Sequence, residues 1–458
     1  MPAVVSCRRP ALLTGLLLLA ACSHQAQLDI AAGTGPTPIL PEPRTSLIPT
    51  VNIAPARGWA DGEKPKPAAG LSVTPFATDL DHPRWLFVLP NGDVLVAETN
   101  APARPRDATG IRGWVRKKIM ARAGAGGASA NRITLLRDTD DDGVADERHV
   151  FLSGLNAPFG MALVDQRFYV ANTDRLDVYA YESGQTRITD TPTLVSRLPA
   201  GAINHHWTKN VIADRDTLYV TVGSNSNAAE NGLAVEQGRA AIWAIDRVTG
   251  AYRLFATGLR NPNGMAFVPQ PDGSRQLWTV VNERDELGGD LVPDYMTSVV
   301  DGGFYGWPYS YYGDHVDERV QPANPARVAE AIVPDYALGA HTASLGLAYS
   351  AGKGLDASFG PGMFVGQHGS WNRTPRSGYR VLFVPFTKGH PDGPPRVVLD
   401  GFVDANGHAH GRPVGVAMDR DGAVLVADDV GDTVWRISAH EAESDNDPAR
   451  MLQRGTKN

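Results

Sequence analysis

Short apolar runs alternate with polar turns along most of the chain, and one combination of the two recurs. The unit is a turn with proline or a small residue, an apolar strand, a polar turn that often contains Asp-Gly or Asn-Gly, and a second strand that ends in a polar residue. It recurs, with unequal spacing, at residues 80–98, 154–172, 204–223, 258–281, 343–366 and 411–428. Such a hairpin cannot bury its apolar face alone, so radial stacking of the copies is favoured. The pattern predicts an all-β protein, a six-bladed β-propeller; a two-sheet sandwich would leave the recurrence unexplained.

Composition agrees with a turn-rich β protein. The 458 residues include 48 glycines and 34 prolines, and the formal net charge is −7. This modest charge argues against nucleic acid as a partner. We expect a lipoprotein signal peptide at residues 1–21, a proline-rich tether at 22–70, the propeller at 71–438 and a polar C-terminal tail at 439–458.

The N-terminus has the pattern of a bacterial export signal. Two arginines precede the apolar run of residues 11–21, which is too short for a resident membrane helix. The run ends Leu19-Ala-Ala-Cys22, which is similar to a lipobox, so we expect a lipid anchor on Cys22; an ordinary signal peptide cut elsewhere is the alternative. By resemblance to the bacterial sorting pattern, Ser23 favours the outer membrane and the periplasmic side of the cell envelope. The other cysteine, Cys7, would be removed, so the mature chain would hold no disulfide.

Polar residues in the turns of the repeat are the candidates for chemistry, because propellers carry their sites on loops at strand ends. His206 is a candidate general base, although a His-His pair is more often structural. Cations that reach one face from several blades favour a ligand with several carboxylates, unless each pairs with a local carboxylate. These cations, with one neighbouring amide, are Lys209, Arg260, Asn261, Arg373 and Arg412.

Two stretches carry oxygen atoms suited to a hard cation. Residues 282–286, Asn-Glu-Arg-Asp-Glu, offer both side-chain and carbonyl oxygens. A second stretch matches the first half of an EF-hand-type calcium loop through Asp138, Asp140, Asp142, Gly143 and Asp146. Its twelfth position is His149 rather than glutamate, so an Asp-rich hairpin turn without an ion remains open. A calcium ion there would be structural.

The chain resembles the glucose/sorbosone dehydrogenase family, and its sorbosone-dehydrogenase branch in particular, from about residue 71 to residue 437. The stretches that carry the resemblance, in order, are HHWTKN, VGSNSN, GLRNPNGMAF, NERDELGGDL, GGFYGWPY, GQHGSWNR and GRPVGVAMDRDGAVLVADD. Members of this family are six-bladed quinoproteins that use pyrroloquinoline quinone (PQQ) and calcium. The resemblance implies a PQQ-dependent dehydrogenase for an aldose or a sugar aldehyde such as sorbosone.

The resemblance also implies roles for single residues. His206 would be the general base that takes a proton from the sugar while a hydride passes to the calcium-bound quinone. Main-chain carbonyls of Arg284 and Asp285 would bind the calcium. Cofactor contacts would come from Arg260, Asn261, Arg373 and Arg412, and Lys209 could add another cation.

The chain departs from the soluble glucose dehydrogenases at two positions. Ser224 stands where those enzymes have an acidic residue that orients the histidine, and Val414 replaces an arginine. These departures weaken glucose as the expected substrate. The chain contains no Cys-x-x-Cys-His haem motif, so the electrons are expected to leave to a separate acceptor.

Two other functions fit parts of the pattern. A calcium-dependent lactonase-type hydrolase could hold its ion with Glu98, Asn210, Asn261 and Asp428, each at the inner end of a blade. That hypothesis leaves the arginines and the loop of residues 282–286 unexplained. A surface-anchored binding propeller without catalysis would bind no cofactor, and His206 would be structural.

Overall fold

A computed structural model describes residues 25–45, 51–102, 118, 120–352, 355 and 359–440. Almost all regular structure in this part of the chain is β. The strands form six antiparallel sheets of four to six strands, together with one two-stranded ribbon. The first strands of successive sheets contact one another in a ring, and that of the last sheet contacts that of the first. The predicted six-bladed β-propeller is confirmed.

The blades are numbered here in chain order, and their strands are given from the centre of the ring outward. Blade 1 consists of Pro83–Val88, Val94–Glu98, Arg132–Arg137 and Glu147–Leu152, and blade 2 of Met161–Val164, Arg167–Ala171, Arg175–Ala180 and Thr193–Arg197. Blade 3 consists of Val211–Asp214, Thr217–Val222, Ala241–Asp246 and Tyr252–Thr257, and blade 4 of Pro262–Pro269, Arg275–Val281, Pro293–Ser298, Tyr336–Ala340 and Thr34–Gly35. Blade 5 consists of Ser344–Ala351, Pro361–Gln367, Arg380–Thr387, Arg396–Asp400 and Lys66–Pro67, and blade 6 of Pro413–Met418, Val424–Asp428, Thr433–Ala439 and Leu71–Ala77.

A few short elements lie outside this scheme. His390–Pro391 pairs with the third strand of blade 5, and Ser310–Tyr311 pairs with His315–Val316 as the ribbon. The described helical residues are the 3-10 turns Ile30–Gly33 and Leu233–Glu236, the single α-helical turn Pro325–Val328, and residues 118 and 120–122. Within the described residues, no helix is both long enough and apolar enough to cross a membrane.

The core lies between neighbouring blades, and this explains why the inner strands are mostly apolar. In Val94–Glu98 every residue is buried, and Leu95, Val96 and Ala97 have no exposed surface. A strand covered on both faces has no solvent side on which to place polar residues. The outermost strand of blade 3, Tyr252–Thr257, is exposed at its first three positions, because only one side of it meets another strand.

Blade 6 closes the ring with a strand from the start of the domain. Leu71–Ala77 pairs with Thr433–Ala439, and this register places Val73 opposite Ile437. Both of these side chains are buried. The sequence repeat did not predict this closure, because it covers only the first two strands of each blade.

The segment expected to form a tether lies against the propeller wherever it is described. Thr34–Gly35 extends blade 4, and Lys66–Pro67 extends blade 5. Gln25 forms a bridge with Thr374, and Ala56 forms one with Ala409. The described residues between 25 and 70 therefore follow the surface of the blades instead of extending away from them. The signal peptide, the lipid anchor on Cys22 and the tail beyond residue 440 fall outside the described residues and stay predictions.

Candidate active site

The turns singled out in the sequence meet at one face of the ring. Because the first two strands of a blade are antiparallel, the start of the first lies beside the end of the second. The register accordingly pairs Pro83 with Glu98 and Pro413 with Asp428. We call this surface the channel face; it is formed by the loops that precede Pro83, Met161, Val211, Pro262, Ser344 and Pro413 and by those that follow the second strand of each blade.

His206 lies on the channel face of blade 3, with one ring nitrogen fixed. Its Nδ1 is 3.0 Å from the carbonyl oxygen of Ser224 and 2.9 Å from the Ser224 hydroxyl. A carbonyl oxygen only accepts, so Nδ1 carries the proton and Nε2 is the basic nitrogen. Burial, with the charges of Arg260 and His205, lowers the pKa of His206 well below 6.5, which keeps the ring neutral at pH 7. A neutral imidazole with a bare Nε2 is suited to general-base chemistry.

Gly223 brings the His206 ring close to the amide of Asn261. A Cβ added to Gly223 would lie 2.4 Å from Cβ of His206 and 2.6 Å from Oδ1 of Asn261, so the approach requires glycine. The Asn261 Oδ1 atom is buried and has no hydrogen-bond partner among the described residues. A buried amide oxygen without a donor calls for an explanation, and a ligand donor would supply one.

Arg260 is bonded to the loop that follows the second strand of blade 4. Its Nη1 donates to the carbonyl oxygens of Glu283 at 2.6 Å and Asn282 at 3.2 Å. Its Nη2 donates to Asn227 Oδ1 at 2.9 Å and to Asp285 Oδ2 at 3.2 Å. The guanidinium therefore fixes this loop in place.

The contacts of the same loop do not fit a calcium ion at Asp285. The carbonyl oxygen of Asp285 accepts hydrogen bonds from Asn227 at 3.2 Å and from the Arg319 guanidinium at 3.3 Å. Both donors, one of them cationic, would have to leave before an ion could bind there. The buried side chain of Arg284 pairs with Asp317.

The carboxylate of Asp285 joins blade 4 to blade 5. Its Oδ1 accepts from Asn372 Nδ2 at 2.8 Å and lies 3.3 Å from His341 Nδ1, while His341 Nε2 is 2.8 Å from the Gly288 carbonyl oxygen. Burial would raise the pKa of Asp285, but the hydrogen bond from His341 and the charge of Arg260 outweigh it and lower the pKa to about 2. Burial would lower the pKa of His341, yet the pairing with Asp285 raises it. The two groups form an ion pair at the channel face.

A second group of charged residues joins blades 1, 5 and 6. We call it the Asp429 cluster; it consists of Asp429, His82, Arg84, His368 and Arg412. Asp429 accepts from Arg84 Nη1 at 2.7 Å and from His368 Nε2 at 2.9 Å, and it lies 3.5 Å from His82 Nε2. Burial would raise the pKa of Asp429, but the charges of His368 and His82, which are protonated at the low pH where Asp429 titrates, and of Arg84 outweigh it and hold the pKa well below its usual range.

The Asp429 cluster carries more positive than negative charge. Burial lowers the pKa of His368 to about 4 and also lowers that of His82, so both rings are neutral at pH 7. Of the two arginines, Arg84 pairs with the Asp429 carboxylate, whereas the Arg412 guanidinium donates to the carbonyl oxygen of Ala54 at 3.1 Å. The Nε atoms of Arg84 and Arg412 are buried without an acceptor among the described residues, and the Arg84 guanidinium lies 5.7 Å from the ring of Trp207, the neighbour of the candidate base. Unpaired guanidinium donors at this place suit an anionic ligand.

Two other predicted cations are engaged with backbone carbonyls. Lys209 is fully buried; its Nζ lies 3.3 Å from the Trp207 carbonyl oxygen, and burial together with the charge of Arg239 lowers its pKa well below 10.5. The guanidinium of Arg373 donates to the carbonyl oxygens of Gly289, Pro375 and Leu28. In this arrangement Arg373 ties the N-terminal segment to the loops of blades 4 and 5.

The predicted EF-hand-like loop lies on the opposite face of the propeller, in the turn between the third and fourth strands of blade 1. Carboxylate oxygens of Asp138, Asp140 and Asp146 lie within 4.8 Å of one another. Asp142 is outside this group and accepts from the backbone N–H of Val144. Three of the four predicted ligands are thus together, and calcium binding there stays a prediction that is separate from the channel face.

The carboxylates of the lactonase hypothesis already accept hydrogen bonds from protein donors. Glu98 accepts from the Arg132 guanidinium at 2.6 and 2.9 Å, from the Thr134 hydroxyl and from the backbone N–H of Asp81. Four donors surround Asp428: the indoles of Trp59 and Trp435 and the backbone N–H groups of Arg412 and Gly431. Both carboxylates would have to give up these contacts to bind calcium, and this disfavours the cage.

Sequence reasoning missed several residues of the channel face. They are Arg84, Asn227, His341, His368, Asn372 and Asp429. Arg84 lies in the turn of the first repeat, and Asp429 directly follows the polar residue that ends the sixth. The position within the repeat was therefore the available signal. The sequence did not indicate which polar residue of a given turn contributes to the site, because partners such as Arg84 and Asp429 are far apart in sequence.

Comparison with known proteins identifies the family. A family model described as TrAA12-like matches residues 126–296 and 318–440, together more than half of the chain. The chain belongs to the TrAA12-like family. The predicted family resemblance is thereby confirmed, while the sorbosone-dehydrogenase branch stays a prediction.

The chain is also similar to individual proteins at low sequence identity, and two of them have solved structures with a similar fold. The PQQ domain of a pyranose dehydrogenase from Coprinopsis cinerea, in its holo form, is 20% identical with a TM-score of 0.65, covering 82% of this chain and 97% of that one. A calcium structure of the carbohydrate-active enzyme family AA12 from Trichoderma reesei is 19% identical with a TM-score of 0.65, covering 85% and 99%. An uncharacterised protein of Borreliella burgdorferi is 24% identical over 298 residues, 62% of this chain and 76% of its own length.

Proposed function

We propose that the protein is a PQQ-dependent dehydrogenase that oxidises the anomeric hydroxyl of an aldose or the hydrated aldehyde of a sugar such as sorbosone. One observation carries this proposal. His206, with its bare Nε2, and the unpaired oxygen of Asn261 meet at the close approach around Gly223, and Trp207, the neighbour of His206, lies 5.7 Å from the Arg84 guanidinium of the Asp429 cluster. A base and an anion site share one face.

PQQ is a flat tricarboxylate, and the buried donors of the channel face suit such a ligand. Arg84 and Arg412 would hold it through their unpaired Nε atoms, and Asn261 would contact its polar edge. Bound PQQ would supply an acceptor for the hydride of the sugar, which carries both electrons of the oxidation. The solved relative from Coprinopsis cinerea, which is the PQQ domain of a pyranose dehydrogenase, supports this choice of ligand.

His206 would accept the proton that leaves the sugar hydroxyl. Its Nδ1–H is bonded to Ser224, so Nε2 would receive the hydroxyl proton of the sugar. Burial keeps the imidazole neutral before this transfer by lowering its pKa. Arg260 keeps the Glu283 and Asp285 loop in place beside the ring, and a separate acceptor would take the electrons away.

Reconstitution tests the proposal. The protein is purified without its first 24 residues, incubated with PQQ, calcium, both or neither, and assayed with a redox dye on a panel of aldoses and sugar aldehydes. We expect sugar oxidation only where PQQ is present, and a loss of at least about 100-fold in His206→Ala, because general-base catalysis contributes on that order. The arms with and without calcium test the ion separately.

The outcomes separate the candidate functions. Oxidation that needs PQQ and fails in His206→Ala supports the dehydrogenase. Absence of PQQ binding by equilibrium dialysis would refute it and would leave the binding propeller and the hydrolase. Hydrolysis of lactones with calcium alone would establish the hydrolase instead.

A further inference from the structure

The Nδ1 atom of His206 contacts Ser224, in the turn of residues 224–226. The hydrogen bonds within this turn determine whether Nδ1 donates or accepts in that contact. The Ser224 hydroxyl donates to the carbonyl oxygen of Ser226 at 2.6 Å. A hydroxyl has one proton, so this oxygen can only accept from Nδ1 of His206. Both oxygens that face Nδ1, the carbonyl and the hydroxyl of Ser224, are therefore acceptors, and both require the proton on Nδ1.

Glu236 supports this turn from within the protein. The Ser226 hydroxyl donates to Glu236 Oε1 at 2.5 Å, and the backbone N–H of Asn225 donates to Oε2 at 2.6 Å. Glu236 is only 7% exposed and ends the 3-10 turn Leu233–Glu236. The Asn225 side chain also donates to the carbonyl oxygen of Ile203 at 2.7 Å, in the loop that carries His206. The turn is thus fixed by hydrogen bonds both to Glu236 and to the loop that carries His206.

No carboxylate in the described part of the chain is hydrogen-bonded to His206. The nearest one along the chain of contacts is Glu236, which reaches the ring through Ser226 and Ser224. These two serines place neutral oxygen atoms between the imidazole and the buried charge. Such an arrangement orients the ring without placing a negative charge against it.

We propose that Glu236 is a positioning residue for His206: through Ser226 and Ser224 it fixes the tautomer whose Nε2 is free to accept a proton. The significance for catalysis rests on the proposed function, in which His206 is the base. The tautomer itself does not depend on that function, because every contact in the chain of hydrogen bonds belongs to the protein.

Replacement of Glu236 by glutamine isolates the effect. Glutamine has a similar size but one accepting oxygen instead of two, so either the Ser226 hydroxyl or the Asn225 N–H loses its acceptor. The turn then loosens, and the other tautomer of His206 becomes populated. Asp335→Asn is the matched control, because Asp335 accepts from the backbone N–H and hydroxyl of Ser298 at 2.8 and 2.9 Å on the opposite face of blade 4.

The test reads the tautomer directly. Protein with ¹⁵N-labelled histidine and no cofactor is examined by long-range ¹H–¹⁵N correlation NMR at pH 7.5, and the His206 signals are assigned with His206→Gln. We expect the Nδ1–H tautomer in the unmodified protein and in Asp335→Asn, and a shift of both ring nitrogens towards the averaged values of two tautomers in Glu236→Gln. A proton on Nε2 in the unmodified protein, or an unchanged spectrum in Glu236→Gln, would overturn the proposal.

Kinetics of the reconstituted protein provide a second readout. Glu236→Gln should lower kcat about 10-fold or more, with KM changed less than about 2-fold, because only the proton transfer is impaired. Should the spectra change as expected while no form oxidises sugar, the proposed function fails and the positioning role stands. Sugar oxidation with an unchanged tautomer in Glu236→Gln refutes the positioning role alone.

Discussion

At the scale of single residues, Ser224 determines which kind of base His206 is. A carboxylate in contact with an imidazole stabilises its protonated form and raises its pKa. Ser224 offers only a carbonyl and a hydroxyl oxygen, so burial and the charge of Arg260 prevail and the pKa of His206 lies well below 6.5. The ring therefore stays available as a base at mildly acidic pH, at the cost of a smaller driving force for proton transfer.

Ser224→Asp should move the acid limb of the pH–rate profile. A negative charge at Nδ1 favours the imidazolium, so the pKa of His206 rises by about 1–3 units. Catalysis requires the neutral ring, and activity is lost as pH falls through this pKa. The loss should therefore occur at higher pH in the variant than in the unmodified protein. The measurement is kcat/KM of the PQQ-loaded protein from pH 5 to pH 9.

Ser224→Asn is the control, because it adds similar volume without charge and should leave the acid limb in place. If the limb of Ser224→Asp coincides with that of the unmodified protein, protonation of His206 does not control the rate. The result would also weaken the assignment of His206 as the base.

At the scale of secondary-structure elements, the sequence was informative for the inner strands and silent about the outer ones. Val94–Glu98 is an apolar run bounded by turns, because it is buried on both sides. Tyr252–Thr257 has three exposed positions and no such signature. Pairing of Leu71–Ala77 with Thr433–Ala439 is set by closure of the whole ring, which a local pattern cannot encode.

The closing strands should be sensitive to cavities. Ile437 is fully buried opposite Val73 in blade 6. Ile437→Ala should lower the free energy of unfolding by about 2–5 kcal/mol, because it removes buried methyl groups and leaves a cavity where the first and last strands of the domain meet. Urea unfolding without cofactor, followed by tryptophan fluorescence, measures the change.

Val248→Ala is the control for that experiment, since Val248 is 77% exposed on blade 3. It should change the free energy of unfolding by no more than about 0.5 kcal/mol. A loss below about 1 kcal/mol in Ile437→Ala would mean that the strand pair contributes little to closure of the ring.

At the scale of the whole molecule, the site divides into a part that local sequence predicts and a part that it does not. His206, Arg260 and Asn261 belong to turns of adjacent repeats, and the repeat indicated that these turns face the same way. Arg84 and Asp429 are separated by 345 positions and meet because the ring brings blade 6 beside blade 1. Their pairing follows from the closed architecture and from no motif in either turn.

The closure also places titratable groups where burial changes their proton binding, and His368 offers a test. Its pKa is lowered to about 4, mainly by burial, while the unfolded chain has the ordinary value of 6.5. Between pH 6.5 and pH 4 the unfolded state therefore binds a proton that the folded state does not, and the contribution of His368 to stability falls as pH falls. Over the full window the loss is about 3 kcal/mol, at 1.36 kcal/mol per pKa unit. Asp429, with its depressed pKa, is ionised in both states across this window and loses its contribution only below it.

The prediction concerns the difference in the free energy of unfolding between His368→Gln and the unmodified protein. Other buried groups titrate in both proteins, so their contributions cancel in this difference. Glutamine can still donate to Asp429 but takes up no proton. Relative to the unmodified protein, the variant should therefore gain about 3 kcal/mol of stability between pH 7 and pH 4, whatever its stability at pH 7. Urea unfolding at half-unit pH steps, without cofactor, measures this, and His390→Gln at an exposed histidine of blade 5 controls for the loss of a histidine as such. If the stability difference between the two proteins stays constant with pH, His368 binds protons alike in the folded and unfolded chain. Closure of the ring would then not determine the pKa of His368.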